Sequence, residues 1–241
     1  MIKNSIIDVQ KIKNANLAYW VGVAQTDGYF KKQFVKSTSR TRFYVVLGVG
    51  KKSLPMLNKF KQISNEVFMV KGNTFLSLSY NKYHKIEYKF GCNRLIPFFN
   101  QLNILFSEPL TPPTWIVPSK RLFGAYLAGV IDGDGDIRIT RPKYPQCYIR
   151  ITSKLKSSEL LKVLSEFLSC SVKCNYHQKL NIFEGRQFIG KTYITEFRVS
   201  KKNFEFFKKF VYPHIVILHK KEKLRNFMKI KGRKPEFEVP Q

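Results

Sequence analysis

The sequence predicts an α+β protein built from two repeats in one chain of 241 residues. Each repeat reads helix–strand–strand–helix–strand–strand–helix (αββαββα). Three observations predict this. An apolar stretch rich in small residues, ending in an acid and a glycine, occurs twice, at 17–28 and 122–135. Each copy is followed by segments that alternate apolar and polar residues. Between the copies, residues 107–118 (SEPLTPPTWIVP) hold four of the eleven prolines and read as a stiff linker.

The second copy is the clearer one. Residues 122–139 read LFGAYLAGVIDGDGDIRI. Ala125, Gly129 and Gly133 recur at i, i+4 and i+8 and so share one helix face, which lets a second helix approach closely. The first copy, LAYWVGVAQTDGYF at 17–30, aligns with it when Asp27-Gly28 is set on Asp134-Gly135. Ala18 then falls on Ala125, Gly22 on Gly129 and Thr26 on Gly133.

Residues 1–13 are a basic lead-in, and the first half runs to residue 106. After the first helix, 29–36 and 42–50 read as strands. In the second of these Phe43, Val45, Leu47 and Val49 share one face, and Arg42 and Tyr44 the other. Ser53 and Pro55 open a helix that ends near 67, serine as the cap and proline in the first turn. Strands at 75–80 and 83–90 follow, and a helix at 93–105 closes the half, with Pro97 its weak point.

The second half, 119–241, repeats the order. Ser119 caps its first helix. Strands at 135–141 and 146–152 place Ile137, Ile139, Ile149 and Ile151 inward and Arg138, Thr140, Arg150 and Thr152 outward. Residues 157–168 form an amphipathic helix. Strands at 171–180 and 192–200 flank a loop containing Gly185 and Gly190. Helical segments at 202–211 and 214–229 are separated by Pro213.

Composition points to a polyanionic partner. The chain carries 43 Lys+Arg against 16 Asp+Glu, a formal charge of +27, with the basic residues spread along its length. Nucleic acid is the first reading. The hydrophobic and aromatic content, 44% and 15%, excludes a disordered basic tail. The N-terminal stretch is too polar for a signal peptide, and no apolar run spans a membrane, so no membrane partner is expected. Cys92, Cys147, Cys170 and Cys174 contain no C-x-x-C pair, and His84, His177, His214 and His219 have no metal-ligand spacing. The chain reads as a reduced intracellular protein. Its Lys-, Asn-, Ile- and Phe-rich usage suits an AT-rich genome, in an organelle (mitochondrion or chloroplast) or a prokaryotic cytoplasm.

Each Asp before the final glycine sits at a helix C-terminus, where partial negative charge disfavours an anion by a few tenths to ~1 kcal/mol. Packing the two helices together brings two such anions near each other. A hard divalent cation with oxygen ligands between them relieves that cost.

Residues 127–135 (LAGVIDGDG) closely resemble the signature of the LAGLIDADG homing endonucleases, and 20–28 look like a weaker first copy. That copy departs from the second at Trp20, opposite Leu127, and at Gln25, opposite Asp132. The resemblance implies a single-chain, two-motif, monomeric member. Its motif helices would pack at a pseudo-twofold axis, and its two antiparallel sheets would form a saddle over double-stranded DNA. It further implies site-specific hydrolysis of phosphodiesters on both strands with Mg²⁺. Asp27 and Asp134 would hold the metal, beside Thr26 and Gly133. Lys220 and Lys221 best match the basic side chains that family members add around the metals.

Strand alternation nominates outward DNA-binding residues: Lys31, Gln33, Arg40, Arg42, Lys85 and Lys89 in the first half, and Arg138, Arg150, Lys173, Asn175, His177 and Lys179 in the second. Basic groups neutralise phosphates, and amides and arginines read base edges. Asp132 and Asp136 are expected to be structural or peripheral. Two alternatives stay open: an intron RNA-binding maturase of the same fold, and a DNA-binding regulator that has lost cleavage.

Overall fold

The computed structural model describes residues 12–78, 84–106, 109–141, 143–183 and 186–232. Part of the basic lead-in (1–11), residues 79–83 with the predicted end of one strand and start of the next, linker residues 107–108 and the predicted loop glycine Gly185 lie outside the described residues. In chain order the elements are α1 (Ala15–Thr26), β1 (Gly28–Val35), β2 (Arg40–Val49), α2 (Leu54–Phe68), β3 (Asn73–Leu78), β4 (His84–Gly91) and α3 (Ile96–Gln101). Then come α4 (Lys120–Asp134), β5 (Gly135–Thr140), β6 (Gln146–Ser153), α5 (Ser158–Leu168), β7 (Val172–Phe183), β8 (Arg186–Val199), α6 (Phe204–Phe206, running on as a π-helical Phe207–Val211) and α7 (Leu218–Gly232). The strands form two four-stranded antiparallel sheets of matching order, β1-β2-β4-β3 and β5-β6-β8-β7. The two pseudo-symmetric α+β halves are therefore present.

α1 and α4 form the centre of the molecule. Asn14 caps α1, its Oδ1 accepting from Leu17 N at 3.0 Å, and Ser119 caps α4, its Oγ accepting from Leu122 N at 3.4 Å. Residues 17–25 of α1 and 123–132 of α4 are buried on every side. A helix that is apolar all round belongs inside a fold rather than on its surface. Trp20, where the first motif departs from the second, anchors the first core. It stacks on Phe60 at a centroid distance of 4.7 Å and donates to Ser64 Oγ at 2.9 Å.

Several boundaries differ from the sequence reading. Pro97 lies in the first turn of α3, where its missing N–H costs nothing, and the helix stops at Gln101 as Asn103 turns left-handed (φ 51°). The helix predicted at 93–105 is thus one short helix after a 3₁₀ turn. Ser53 makes no side-chain cap. Gly190 is in a strand, paired with Lys179, because β7 and β8 run on past the core as a long hairpin. Ile139 lies on the helix-side face but is 39% exposed where β5 runs out. The last helix begins at Leu218 rather than 214, after a 3₁₀ turn at Tyr212–His214. Among the described residues no helix is long and apolar enough to cross a membrane.

Candidate functional site

The two central helices cross at glycines. A methyl group added at Gly22 would collide with Tyr126 O and lie 2.9 Å from Val130 N. One added at Gly129 would collide with Tyr19 O and lie 3.0 Å from Val23 N. The reciprocity is that of a twofold axis, and it matches the sequence offset that set Gly22 on Gly129. One turn further on, a methyl group at Gly133 would meet the Thr26 side chain and lie 3.0 Å from Asp27 Oδ2. The absence of a Cβ at Gly133 is what lets the Asp27 carboxylate lie against the end of the opposite helix. Asp134 is the last residue of α4, and Asp27 is the C-cap of α1.

Burial raises the Asp27 pKa above the ordinary aspartate value, and the positive charges of Lys220 and Lys85 oppose that shift. Among the described residues no three His, Cys, Asp or Glu side chains converge on one point. The donors at this centre are two carboxylates and helix-terminal carbonyls. That all-oxygen set fits Mg²⁺ or Ca²⁺, and Mg²⁺ in particular is commonly held by one or two carboxylates with substrate phosphates completing the shell.

A network of buried polar groups holds the centre. Asp132 is 1% exposed and accepts from Tyr19 Oη at 2.8 Å, Val216 N at 2.9 Å and Ile217 N at 3.2 Å. Burial raises its pKa in spite of these three donors. Gln25, its counterpart, is equally buried. Its Oε1 accepts from Tyr126 Oη at 2.7 Å and from Thr111 N at 3.3 Å, and its Nε2 donates to Thr111 O at 2.8 Å. Each side chain thus receives a tyrosine hydroxyl from the opposite helix and pins the backbone of a connecting segment. The expectation that Asp132 is structural agrees with this geometry. Gln25 does the same work without a charge.

Several solved structures share this fold. The homing endonuclease I-DmoI, as mesophilic variants, is 16% identical with a TM-score of 0.54 over 83% of this chain and 97% of that one. The LAGLIDADG homing endonuclease I-GzeII in complex with its DNA target is 15% identical with a TM-score of 0.58 over 92% and 93%. I-DmoI in complex with DNA and Ca is 16% identical with a TM-score of 0.54 over 89% and 98%. This chain has the LAGLIDADG fold. No protein-family model matches the sequence, and no curated protein matches it.

The two basic candidates after the second LAGLIDADG helix go to different places. Lys220 is 9% exposed, and its Nζ donates to Ile131 O and Asp132 O at 2.8 Å each and to Gly133 O at 3.3 Å. Burial lowers its pKa, and the charges of Asp132, Asp27, Asp134 and Asp136 raise it. Lys221 is not brought to the acids. Its Nζ lies 5.4 Å from the Tyr212 ring, and its charge acts on Lys59 and His214 instead. One residue along a helix is a turn of about 100°, so the two neighbouring lysines leave the helix in different directions.

Strand register puts the DNA-binding candidates on one face of each LAGLIDADG sheet, away from the helices. Lys31 pairs with Tyr44, Gln33 with Arg42, and Arg40 with Val35. Lys89 pairs with Val46, and Lys85 with Ser77. In the second half Arg138 pairs with Tyr148, Arg150 with Glu196, and Lys173 with Glu196. Asn175, His177 and Lys179 follow at every second position of β7. The Lys179 side chain lies outside the described residues.

Sequence reasoning missed two features. Glu196 sits among the basic groups, its Oε2 3.5 Å from Arg150 Nε. Lys85 was nominated for DNA but also acts on Asp27. Alternation along β4 gave its face. Its closeness to Asp27 depends on where β4 lies in the sheet, which one strand does not reveal.

Proposed function

We propose that this protein is a site-specific, divalent-metal-dependent DNA endonuclease that cuts both strands of a long duplex, with Mg²⁺ as the working ion. The observation that carries the reading is the Asp27 carboxylate lying against Gly133, at the end of the helix that carries Asp134. Two acids at two helix C-termini raise each other's electrostatic cost. A fold keeps that arrangement where a cation is to be held. The relatives in fold include proteins solved with their DNA targets and with Mg or Ca, which supports the same partner and the same class of ion.

Asp27 and Asp134 would hold the metal, with the carbonyls of Thr26 and Gly133 beside them. A bound divalent ion supplies charge for the phosphoryl transition state and lowers the pKa of an attacking water. The chain's own residues do the rest. Asp132 and Gln25 fix the separation and rotation of the two helices, and so the separation of the two acids. Lys220 holds the last carbonyls of α4. The outward basic and amide side chains of the two sheets neutralise phosphates and read base edges along the saddle. One chain supplies both halves, so the monomer is the working unit, and the two different outward faces suit an asymmetric site.

The test is cleavage of a randomised duplex library by the purified protein with Mg²⁺ and with EDTA, beside the Asp27→Asn/Asp134→Asn protein. The expected outcome is Mg²⁺-dependent cutting of both strands at selected sequences, absent in the double variant. Duplex binding without cutting, in a well-covered library, refutes the enzyme reading and makes intron RNA the next ligand to test.

A further inference from the structure

The strand register that aligns the two halves brings out a row of residues in which they differ. Gly28 pairs with Leu47 and Gly135 with Ile151, each at the start of the strand that follows a motif helix. One residue further along, the row across the first sheet reads Tyr29, Val46, Lys89, Asn73. The equivalent row across the second reads Asp136, Arg150, Glu196, Lys173, with charges that alternate from strand to strand. Both rows lie on the outward faces of their sheets. Opposite charges directly across a strand pair attract. Asp136, on one side of Arg150, is drawn to Lys223 of α7, whose Nζ lies 3.5 Å from its Oδ1. Arg150 turns to Glu196 on the other side. Its Nε, closed off from solvent, faces Glu196 Oε2 at 3.5 Å, while the two side chains as a whole stay 32% and 28% exposed.

We infer that Arg150 and Glu196 together read a G·C base pair in the second half-site, with Glu196 as the residue that positions Arg150. This rests on the duplex-DNA reading proposed above. A carboxylate beside the guanidinium offsets much of the charge that would attract a phosphate, and it repels a phosphate brought to the same place. The edge of a base pair carries no net charge and meets no such repulsion. With the Nε side of the guanidinium turned to Glu196, the Nη pair is left as a rigid planar fork for two acceptors. In the major groove guanine offers two, O6 and N7, and its partner cytosine offers the N4 amino donor that a carboxylate accepts. Fixing the fork before DNA arrives also removes part of the cost of ordering a long side chain. Val46, in the place of Arg150, is 1% exposed and has no polar side-chain atom, so the mirror position of the first half-site carries no such requirement.

The test is selection and sequencing of the bound fraction of a randomised duplex library, in EDTA so that binding is read without cutting. The wild type should select a G·C pair at one position on one side of the site and not at its mirror image. Arg150→Lys keeps the charge and loses the fork. It should weaken that preference by roughly 5- to 150-fold, the worth of one bidentate contact, and leave the other positions alone. Arg150→Ala/Glu196→Ala conserves net charge. It should lose the same preference with the salt slope of binding unchanged. Glu196→Gln should lower discrimination at that position and steepen the salt slope, because the freed guanidinium is then open to a phosphate.

An Arg150→Lys protein that keeps every preference of the wild type overturns the inference. So does an Arg150→Ala/Glu196→Ala protein that binds all sequences more weakly alike, with a slope reduced by about 0.9, since that is the behaviour of a phosphate contact. A Glu196→Gln protein with the wild-type profile overturns the positioning role of Glu196. In each of these cases selection at the other positions leaves the site-specific reading standing. A wild type that binds no duplex, or binds every duplex alike, fails that reading itself.

Discussion

Gly129→Ala is expected to destabilise the protein although alanine is the better helix former. In an exposed helix the change would gain about 1 kcal/mol. Here the new Cβ would collide with Tyr19 O and lie 3.0 Å from Val23 N and 3.2 Å from Gly22 Cα, all backbone atoms of the opposite helix. No rotamer change relieves such a contact, so the helices must separate. Their flanks are fully buried, including Tyr19, Val23, Tyr126 and Val130. Overpacking a core typically costs 1–3 kcal/mol, and contact with backbone rather than a flexible side chain puts this case at the upper end. After the helix-propensity gain, a net loss of about 2 kcal/mol remains. For a chain of this size, that lowers Tm by roughly 4–8 °C. Differential scanning calorimetry on Gly129→Ala and Gly22→Ala measures it, with Gly50→Ala and Gly91→Ala as controls, because a Cβ at either control site meets nothing within 4 Å. The double variant Gly22→Ala/Gly129→Ala should lose less than the sum, since both changes force the same separation. An unchanged or raised Tm in Gly129→Ala would refute the close-packed centre.

Three further outcomes are expected. Asp27→Asn should raise the Tm of the metal-free protein at neutral pH: burial raises this carboxyl's pKa, so its ionised form costs stability once pH exceeds the ordinary aspartate range. The advantage should shrink as pH falls through the raised pKa and wild-type Asp27 takes up its proton. An equal gap at pH 7 and pH 3 contradicts this. Asp132→Ala should cost at least about 3 kcal/mol in urea unfolding, because it strands Tyr19 Oη and the Val216 and Ile217 N–H groups. A loss under 1 kcal/mol would show that the network does not hold α7. Lys31→Ala should reduce the salt slope of duplex binding by about 0.9, the signature of one lost phosphate contact. Lys32→Ala, one residue away but on the helix-side face opposite Phe43, should leave the slope unchanged. The reverse result would mean the sheets meet DNA by the other face.

The chain by itself determined the repeat and much of its local structure. Glycines and alanines at fourfold spacing could be read as a helix contact before any partner was known, because helix periodicity converts spacing into a face. Alternation did the same for the strands: the core residues Val45, Leu47, Ile149 and Ile151 and the outward Lys31, Arg42, Arg138 and Lys173 all follow from a period of two. The acids before Gly28 and Gly135 stood out because a helix end disfavours them. Where local signals competed, the reading slipped. Pro97 starts a helix rather than spoiling one, and Gly190 is carried into a strand by pairing with Lys179.

Only the tertiary structure decided what each polar residue of the centre does. Gln25 and Asp132 looked like a mismatch between two motif copies, yet both pin a connecting segment and receive a tyrosine from the other helix. Lys220 and Lys221 were indistinguishable as neighbours in a basic run. One caps α4 in the core, and the other lies over Tyr212. The hydrogen bonds that set these roles join groups 84 to 113 residues apart in the chain. Sequence periodicity gives the face on which a side chain stands, but the partner on that face is set by how the elements pack.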